Sequence, residues 1–212
     1  MTIDILGSIE KALEISDETI AKQLALQRMI PLNGKIDNEK AQGVCRALVG
    51  MDMKEVAPIT LLINSPGGGL QPAFSIASAI DSIRSPVTGL VLERAASAAV
   101  TVLLSCKRRV ALPGSTIFVH CVRKSFELVL HGEELTDSEL RIMANHAMIG
   151  RNRMEQLFVT KLGKPLEEIR ELMRLGEKLD IDYTAEEALQ LGFIQEIVKD
   201  FKYWETPKTP SA

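Results

Sequence analysis

Two short apolar runs in this chain each end in a turn of small residues, and a helical pattern follows each turn. The first run, Ile59–Ile63, leads into a glycine-rich segment at 64–69. The second, Val87–Leu92, leads to Ser97, which stands between two pairs of alanines. Short apolar runs bounded by turn residues are typical of buried strands. Because strands alternate with helices, we expect an α/β fold with helices packed on a mostly parallel sheet.

The rest of the pattern extends this alternation along the chain. It predicts strands at 28–32, 59–63, 87–92, 110–112, 116–120 and 193–198. It predicts helices from Asp37 or Asn38 to about Val49 with Gly50 as the stop, and at 70–83, 97–104, 136–162 and 184–191, with a further short helix opening at Pro165. We expect a helix-prone lead-in over 1–27, one domain over 28–200 and a frayed tail over 201–212.

Composition excludes several classes of partner. The chain has 212 residues and a formal charge of -3, which argues against a nucleic-acid-binding surface. The one basic run, Lys107-Arg108-Arg109, is short, and we interpret it as a solvated strand edge or turn. The sequence has no apolar stretch of about 18 residues and no basic start followed by an apolar segment, so we expect no membrane span and a cytoplasmic location.

The three cysteines, Cys45, Cys106 and Cys121, form no CxxC pair. An odd number of cysteines argues against a disulfide framework. Neither the cysteines nor the histidines have the spacing of metal ligands. The sequence therefore predicts no metal and no cofactor. The chain also has no P-loop pattern, so any ATP would be consumed by a partner protein.

Ser97 is the residue with the clearest chemical potential. A strand that ends in a small-residue turn exposes a hydroxyl at a helix start, where free N–H groups and the helix dipole favour negative charge. The glycine-rich turn at 64–69 can supply a further N–H donor. A nucleophile beside such donors is suited to acyl transfer to water.

A serine hydroxyl needs a base to accept its proton, and the chain has three histidines. His120 ends an apolar strand pattern and is our candidate for the base. His131 lies in a charged stretch and His146 within the long helical pattern, so both are interpreted as surface or packing residues. Cys121 follows His120 directly, but neighbouring side chains of a strand point to opposite faces. We therefore interpret Cys121 as structural.

A third group usually fixes the tautomer of the base. Asp180 and Asp182 both precede the capping box that begins at Thr184. Spacing alone does not choose between the two carboxylates.

Four segments of the chain resemble the proteolytic subunit of the Clp protease, the ClpP family. They are Ile63-Asn64-Ser65-Pro66-Gly67-Gly68, Ala95-Ala96-Ser97, 112–120 and 184–194, and the resemblance covers roughly 25–200. It implies a ClpP/crotonase-like α/β fold with repeated βαβ units and a protruding long handle helix. It also implies that Ser97 is the nucleophile, His120 the base and Asp180, four positions before Thr184, the third member of the triad. The oxyanion donors would be the backbone N–H groups of Gly68 and Ala98.

The same resemblance implies a function. By this resemblance, the chain would be a serine endopeptidase that hydrolyses peptides or unfolded polypeptides through an acyl-enzyme. It would assemble in heptameric rings stacked as a tetradecamer, with an AAA+ unfoldase ATPase of the Clp type as a possible partner. The family usually has Gly-Gln before the Ala-Ala-Ser segment, where this chain has Glu93-Arg94. It usually has Met-Gly after that segment, where this chain has Ala98-Ala99. A non-catalytic ring subunit is the main alternative. A crotonase-type acyl-CoA enzyme is a more distant one.

Overall fold

The structure is a computed structural model that describes residues 17–120, 136–179, 182–199 and 201. Three residues named above lie outside the described residues: Asp180, Cys121 and His131. The expected tail lies outside them too, except for its first residue, Phe201.

Strands and helices alternate through the first half of the described chain. The strands are β1 (Met29–Asn33), β2 (Ile59–Ser65), β3 (Val87–Ala96), β4 (Arg108–Ala111), β5 (Thr116–Phe118), β6 (Tyr183–Thr184) and β7 (Glu196–Ile197). The helices are α1 (Asp17–Leu26), α2 (Asn38–Lys54), α3 (Leu70–Ser82), α4 (Ala98–Ser105), α5 (Asp137–Leu162), α6 (Leu166–Leu179) and α7 (Ala185–Leu191). No helix among these residues is long and apolar enough to cross a membrane.

Five strands form a parallel path in the order β1-β2-β3-β4-β7. Strand β3 is longer than its neighbours and changes partner along its length. Its first half pairs with β4, from Thr88 opposite Arg108 onwards, and its last three residues pair with β5. Strand β5 in turn pairs with β6 in the antiparallel direction. The nucleophile candidate therefore follows the point at which the sheet divides.

The sheet buries apolar side chains on both faces, as the continuous apolar runs predict. The smaller cluster has Met29, Leu62, Leu90 and Val110 at its centre, one from each of four adjacent strands. The alternate positions of the same strands face the larger cluster, which also takes in the buried faces of helices α2 to α7. Helix α4 is buried along its whole length.

Helix boundaries follow the capping residues of the sequence in most places. Thr136 and Thr184 each form a capping box at the start of their helices, α5 and α7. Gly163 and Gly192 end the same two helices in the left-handed conformation, which glycine adopts without a steric penalty.

The prediction that Gly50 ends helix α2 was wrong, because the helix continues to Lys54. The Arg28 guanidinium stabilises the extra turn by donating to the carbonyl oxygens of Met51 and Glu55 at 3.2 and 3.1 Å. It also donates to Ala57 at 2.9 Å. Long-range hydrogen bonds to the last carbonyls of a helix offset the cost of about 1 kcal/mol for a glycine in its interior.

Asp52 fixes the same turn to the start of β3. Its carboxylate accepts hydrogen bonds from the Ser85 amide and hydroxyl, both at 2.8 Å, and from the Arg84 amide at 3.1 Å. The residue is only 7% exposed. Burial by itself raises the pKa of the Asp52 carboxyl, but the hydrogen bonds from Ser85 and Arg84 outweigh it, so the pKa lies below its ordinary value.

The interpretation of the basic run as solvated was wrong for one of its members. Arg109 is buried, and its guanidinium donates to the Phe193 carbonyl at 2.9 Å and to the Gly192 carbonyl at 3.3 Å. Arg108 forms an ion pair with Glu196. The run therefore connects β4 both to the segment that follows α7 and to β7.

The Asp52 network gives a testable dependence of stability on pH. A carboxyl whose folded pKa is depressed contributes stability that is complete above its unfolded value of about 3.9 and is lost as the pH falls through the lower folded value. We expect Asp52→Asn to lower the free energy of unfolding at pH 7, and the difference from wild type to shrink towards pH 3. Urea unfolding at the two pH values measures this. Asp81→Asn, at an exposed position on α3, is the matched control, and an equal effect of the two substitutions would contradict the assignment.

Candidate active site

Ser97 occupies a sharp turn between β3 and α4. Its backbone has φ 55° and ψ −121°, a combination that residues with a side chain rarely adopt and that costs on the order of 1–3 kcal/mol. The Ser97 amide donates to the Phe118 carbonyl at 2.8 Å, and the Ser97 carbonyl accepts from the Val100 amide at 3.0 Å. Ala96 and Ala98 are buried on either side, while Ser97 is half-buried. This turn holds the hydroxyl out from the sheet.

His120 lies directly beside this hydroxyl. Its Nε2 is 2.8 Å from the Ser97 Oγ, which is hydrogen-bond distance. Strand β5 positions the imidazole, since His120 follows Phe118, whose backbone is the partner of the Ser97 amide. The structure therefore brings together two of the three predicted triad residues through both backbone and side chain.

The glycine-rich turn packs against the Ser97 turn without space for a side chain. A Cβ added to Gly67 would lie 2.5 Å from the Ala96 carbonyl oxygen and 2.8 Å from the Ser97 Cβ, and Gly67 has φ 90°. Glycine is therefore required here for close approach as well as for backbone conformation.

Gly68 is held from the opposite side by Ile36. The Ile36 amide donates to the Gly67 carbonyl and its carbonyl accepts from the Gly69 amide, both at 2.8 Å. In a parallel bridge of this kind, the residue between the two bonded groups turns its own N–H and C=O away from the partner strand. The Gly68 amide is thus directed away from Ile36.

The Ala98 amide is the first of helix α4. The first N–H groups of a helix have no partner within the helix, and they carry the positive end of its dipole. The two predicted oxyanion donors, Gly68 and Ala98, therefore belong to backbone turns that meet beside Ser97. Such an arrangement is suited to stabilising negative charge on an oxygen attached to the Ser97 adduct.

The structure describes only one of the two candidate carboxylates, Asp182. Asp180 lies outside the described residues. Asp182 forms an ion pair with Arg94, whose Nε and Nη2 lie 3.0 and 2.9 Å from the Asp182 Oδ1. The Arg94 guanidinium also lies over the Phe118 ring, with its central carbon 5.4 Å from the ring centroid.

Sequence reasoning did not foresee the Arg94 contact or strand β6. The alternation of Asp and apolar residues at 180–183 is a period-two pattern, typical of a short strand, and was the available signal. The partner of Asp182 lies 88 residues away along the chain, and no local pattern predicts it.

Other polar and ionisable groups of the described residues have simpler explanations. Asn64 donates to the Glu93 carboxylate at 2.9 Å on the exposed rim of β2 and β3. Burial raises the pKa of the Cys106 thiol to about 12, which keeps it protonated. His146 is exposed on α5. Across the described ranges, His, Cys, Asp and Glu side chains form no cluster of three or more able to hold a metal ion.

The sequence and the fold are both similar to those of known proteins. The chain matches the Clp protease family over residues 12–201. It is 30% identical over 182 residues to the ATP-dependent Clp protease proteolytic subunit 1 of Protochlamydia amoebophila, covering 84% of each chain. It is 28% identical to the ATP-dependent Clp protease proteolytic subunit of Streptococcus salivarius, covering 84% of this chain and 88% of the relative.

Among solved structures, a point mutant of ClpP1 from Listeria monocytogenes superposes with a TM-score of 0.71 at 24% identity, over 85% of this chain and 96% of the other. This likeness confirms the predicted ClpP/crotonase-like α/β fold. The family resemblance seen in the four sequence segments is confirmed by the match over 12–201. The chain belongs to the Clp protease family.

Proposed function

We propose that this chain is a serine peptidase of the Clp type, which cleaves peptide bonds in peptides and unfolded polypeptides through an acyl-enzyme. The observation that carries the proposal is the 2.8 Å distance between the Ser97 Oγ and the His120 Nε2 at a strained strand-to-helix turn. Family membership supports the same chemistry.

In the proposed reaction, His120 Nε2 accepts the hydroxyl proton as the Ser97 Oγ attacks the carbonyl carbon of the scissile bond. The carbonyl oxygen takes up the negative charge and accepts hydrogen bonds from the Gly68 and Ala98 amides. When the C–N bond breaks, His120 returns the proton to the leaving amine and the acyl group stays on Ser97. Water then attacks the ester, His120 accepts one of its protons and returns it to the Ser97 oxygen, and the free acid leaves.

Asp180 is the proposed third member, and the register of β5 and β6 supports it. Thr116 lies opposite Thr184 and Ile117 opposite Tyr183. In an antiparallel pair each step forward on one strand matches a step back on the other, so position 182 falls opposite Phe118. Asp182 is thus opposite Phe118 and not opposite His120. This favours the other acid, Asp180, four positions before Thr184. Asp182 is less suited because it already pairs with Arg94.

Assembly is proposed from an exposed apolar surface on the long helix. Met154 and Phe158, two of the periodic apolar residues of α5, are buried within the chain. Ile142, Met148 and Ile149 of the same helix are more than half exposed. Large exposed apolar side chains in one region favour a protein interface. We propose homo-oligomeric rings, heptamers stacked as a tetradecamer, in the cytoplasm.

Energy-dependent unfolding would belong to another protein. Two relatives are named ATP-dependent proteolytic subunits, and this sequence has no P-loop pattern. We therefore propose an AAA+ unfoldase ATPase of the Clp type as the partner that delivers polypeptide to the rings.

The first prediction from the proposed function concerns the nucleophile. We expect a fluorophosphonate to label the wild-type protein at Ser97, because the His120 base and the two amides activate this hydroxyl. Ser97→Ala should abolish labelling and peptide hydrolysis. Intact-mass analysis followed by peptide mapping measures the modification.

Ser75→Ala, at an exposed serine of α3, is the matched control and should be labelled like wild type. A wild-type protein that forms rings but is neither labelled nor able to cleave small peptides would support the non-catalytic alternative. Labelling at a serine other than Ser97 would contradict the assignment of the nucleophile.

The second prediction separates the two carboxylates. Asp180→Asn should lower kcat by about 10³- to 10⁴-fold, the cost expected when the base loses the group that fixes its tautomer. Asp182→Asn should cost at least ten times less, since its carboxylate faces Arg94. Steady-state hydrolysis of a small peptide measures both values, and the reverse order would assign the role to Asp182.

The third prediction concerns the contact between the two turns. Gly67→Ala should lower the rate of fluorophosphonate labelling by about 10- to 100-fold, because a small displacement of groups in a reacting site costs rates of this order. Gly163→Ala is the control, since Gly163 also has positive φ but has nothing within 4 Å of an added Cβ. The control should lose stability while its labelling rate stays near wild type. Equal labelling of the two variants would mean that the close approach of the turns is unimportant.

A further inference from the structure

Arg94 lies near the end of β3, three residues before Ser97, and its guanidinium makes two contacts with residues of other segments. Its guanidinium pairs with the Asp182 carboxylate through two nitrogens at 2.9 and 3.0 Å. The same group lies 5.4 Å from the centroid of the Phe118 ring. That ring in turn lies 5.4 Å from the imidazole ring of His120, at an angle of 33°.

These residues share one face of the divided sheet. Arg94 pairs in register with Thr116 and Ala96 with Phe118, so the side chains of Arg94 and Phe118 lie on the same side of β3 and β5. By the register of β5 and β6, position 182 falls opposite Phe118. The Arg94 side chain therefore crosses over β5 and connects the strand before Ser97 to the segment before β6.

Different contacts hold the two ends of strand β6. At its carboxyl end, the Thr184 capping box with Glu187 fixes it to α7. Within it, the Tyr183 hydroxyl donates to the Leu172 carbonyl of α6 at 3.3 Å. At its amino end, the Asp182 carboxylate pairs with the Arg94 guanidinium of β3.

We propose that Arg94 is a positioning residue, which holds Asp182 and the Phe118 ring against the end of β3 so that the His120 imidazole stays beside the Ser97 hydroxyl. This inference rests on the proposed function. Asp182 is then the anchor of the Arg94 side chain, and the Phe118 ring lies between that side chain and the imidazole.

The pair is suited to positioning and contributes little to global stability. The Arg94 and Asp182 side chains are 40% and 34% exposed, and ion pairs at such sites are screened by solvent. A variant that loses the pair should therefore remain folded, and a change in its reaction rate will report on geometry.

The test compares Arg94→Gln with wild type in peptide hydrolysis and in fluorophosphonate labelling of Ser97. We expect kcat to fall by about 10- to 100-fold with KM within twofold of wild type, since displacement of an orienting group acts on the reaction step. Arg94→Lys keeps the charge but loses the two-nitrogen contact, and it should recover part of the lost rate. Asp182→Asn should match Arg94→Gln, and the double variant should be no slower than either single variant.

Arg108→Gln is the matched control, because it removes another arginine–carboxylate pair between two segments of the sheet. It should leave kcat unchanged. If wild type is labelled and Arg94→Gln reacts at the same rate, the positioning role is overturned while the proposed function stands. Additive losses in the double variant also overturn it. If wild type is not labelled, the proposed function fails and the inference fails with it.

Discussion

The candidate site depends on the way in which β3 changes partner. Its first half is hydrogen-bonded between β2 and β4, and its last residues pair with β5. The strand is therefore fixed on both sides until the residue before Ser97, where the chain must turn into a fully buried helix. This anchoring supports a backbone conformation at Ser97 that an isolated turn would abandon. The positions of His120, the glycine turn and Arg94 all follow from it.

Two described residues other than glycine have positive φ, Arg28 and Ser97, and their strain is offset in different ways. Arg28 directly precedes β1 and is stabilised by the hydrogen bonds that its own side chain makes to Met51, Glu55 and Ala57. Ser97 has only a short side chain, so its conformation depends on the Phe118 carbonyl and on packing of the neighbouring alanines. The first arrangement stabilises the fold. The second leaves the Ser97 hydroxyl within hydrogen-bond distance of the His120 imidazole.

Local patterns predicted those features that local chemistry decides. The apolar runs gave the parallel strands, the threonine capping boxes gave the starts of α5 and α7, and strand ends indicated Ser97 and His120 as neighbours. Features set by contacts between distant segments were not predictable in this way. Helix α2 passes Gly50 because Arg28 bonds to its last turn, and Asp182 pairs with Arg94 across 88 residues. Strand β6 has two residues, and the short alternation at 180–183 does not show which strand it pairs with.

The hydrogen bond from the Ser97 amide to the Phe118 carbonyl has an evolutionary consequence. It links the peptide backbones that carry the serine and the imidazole, so their spacing does not depend on which side chains line the surrounding cleft. Substitutions at neighbouring positions such as Glu93 can accumulate without separating the two groups. A lineage with this scaffold can therefore change the side chains around the candidate site while the spacing of Ser97 and His120 is kept.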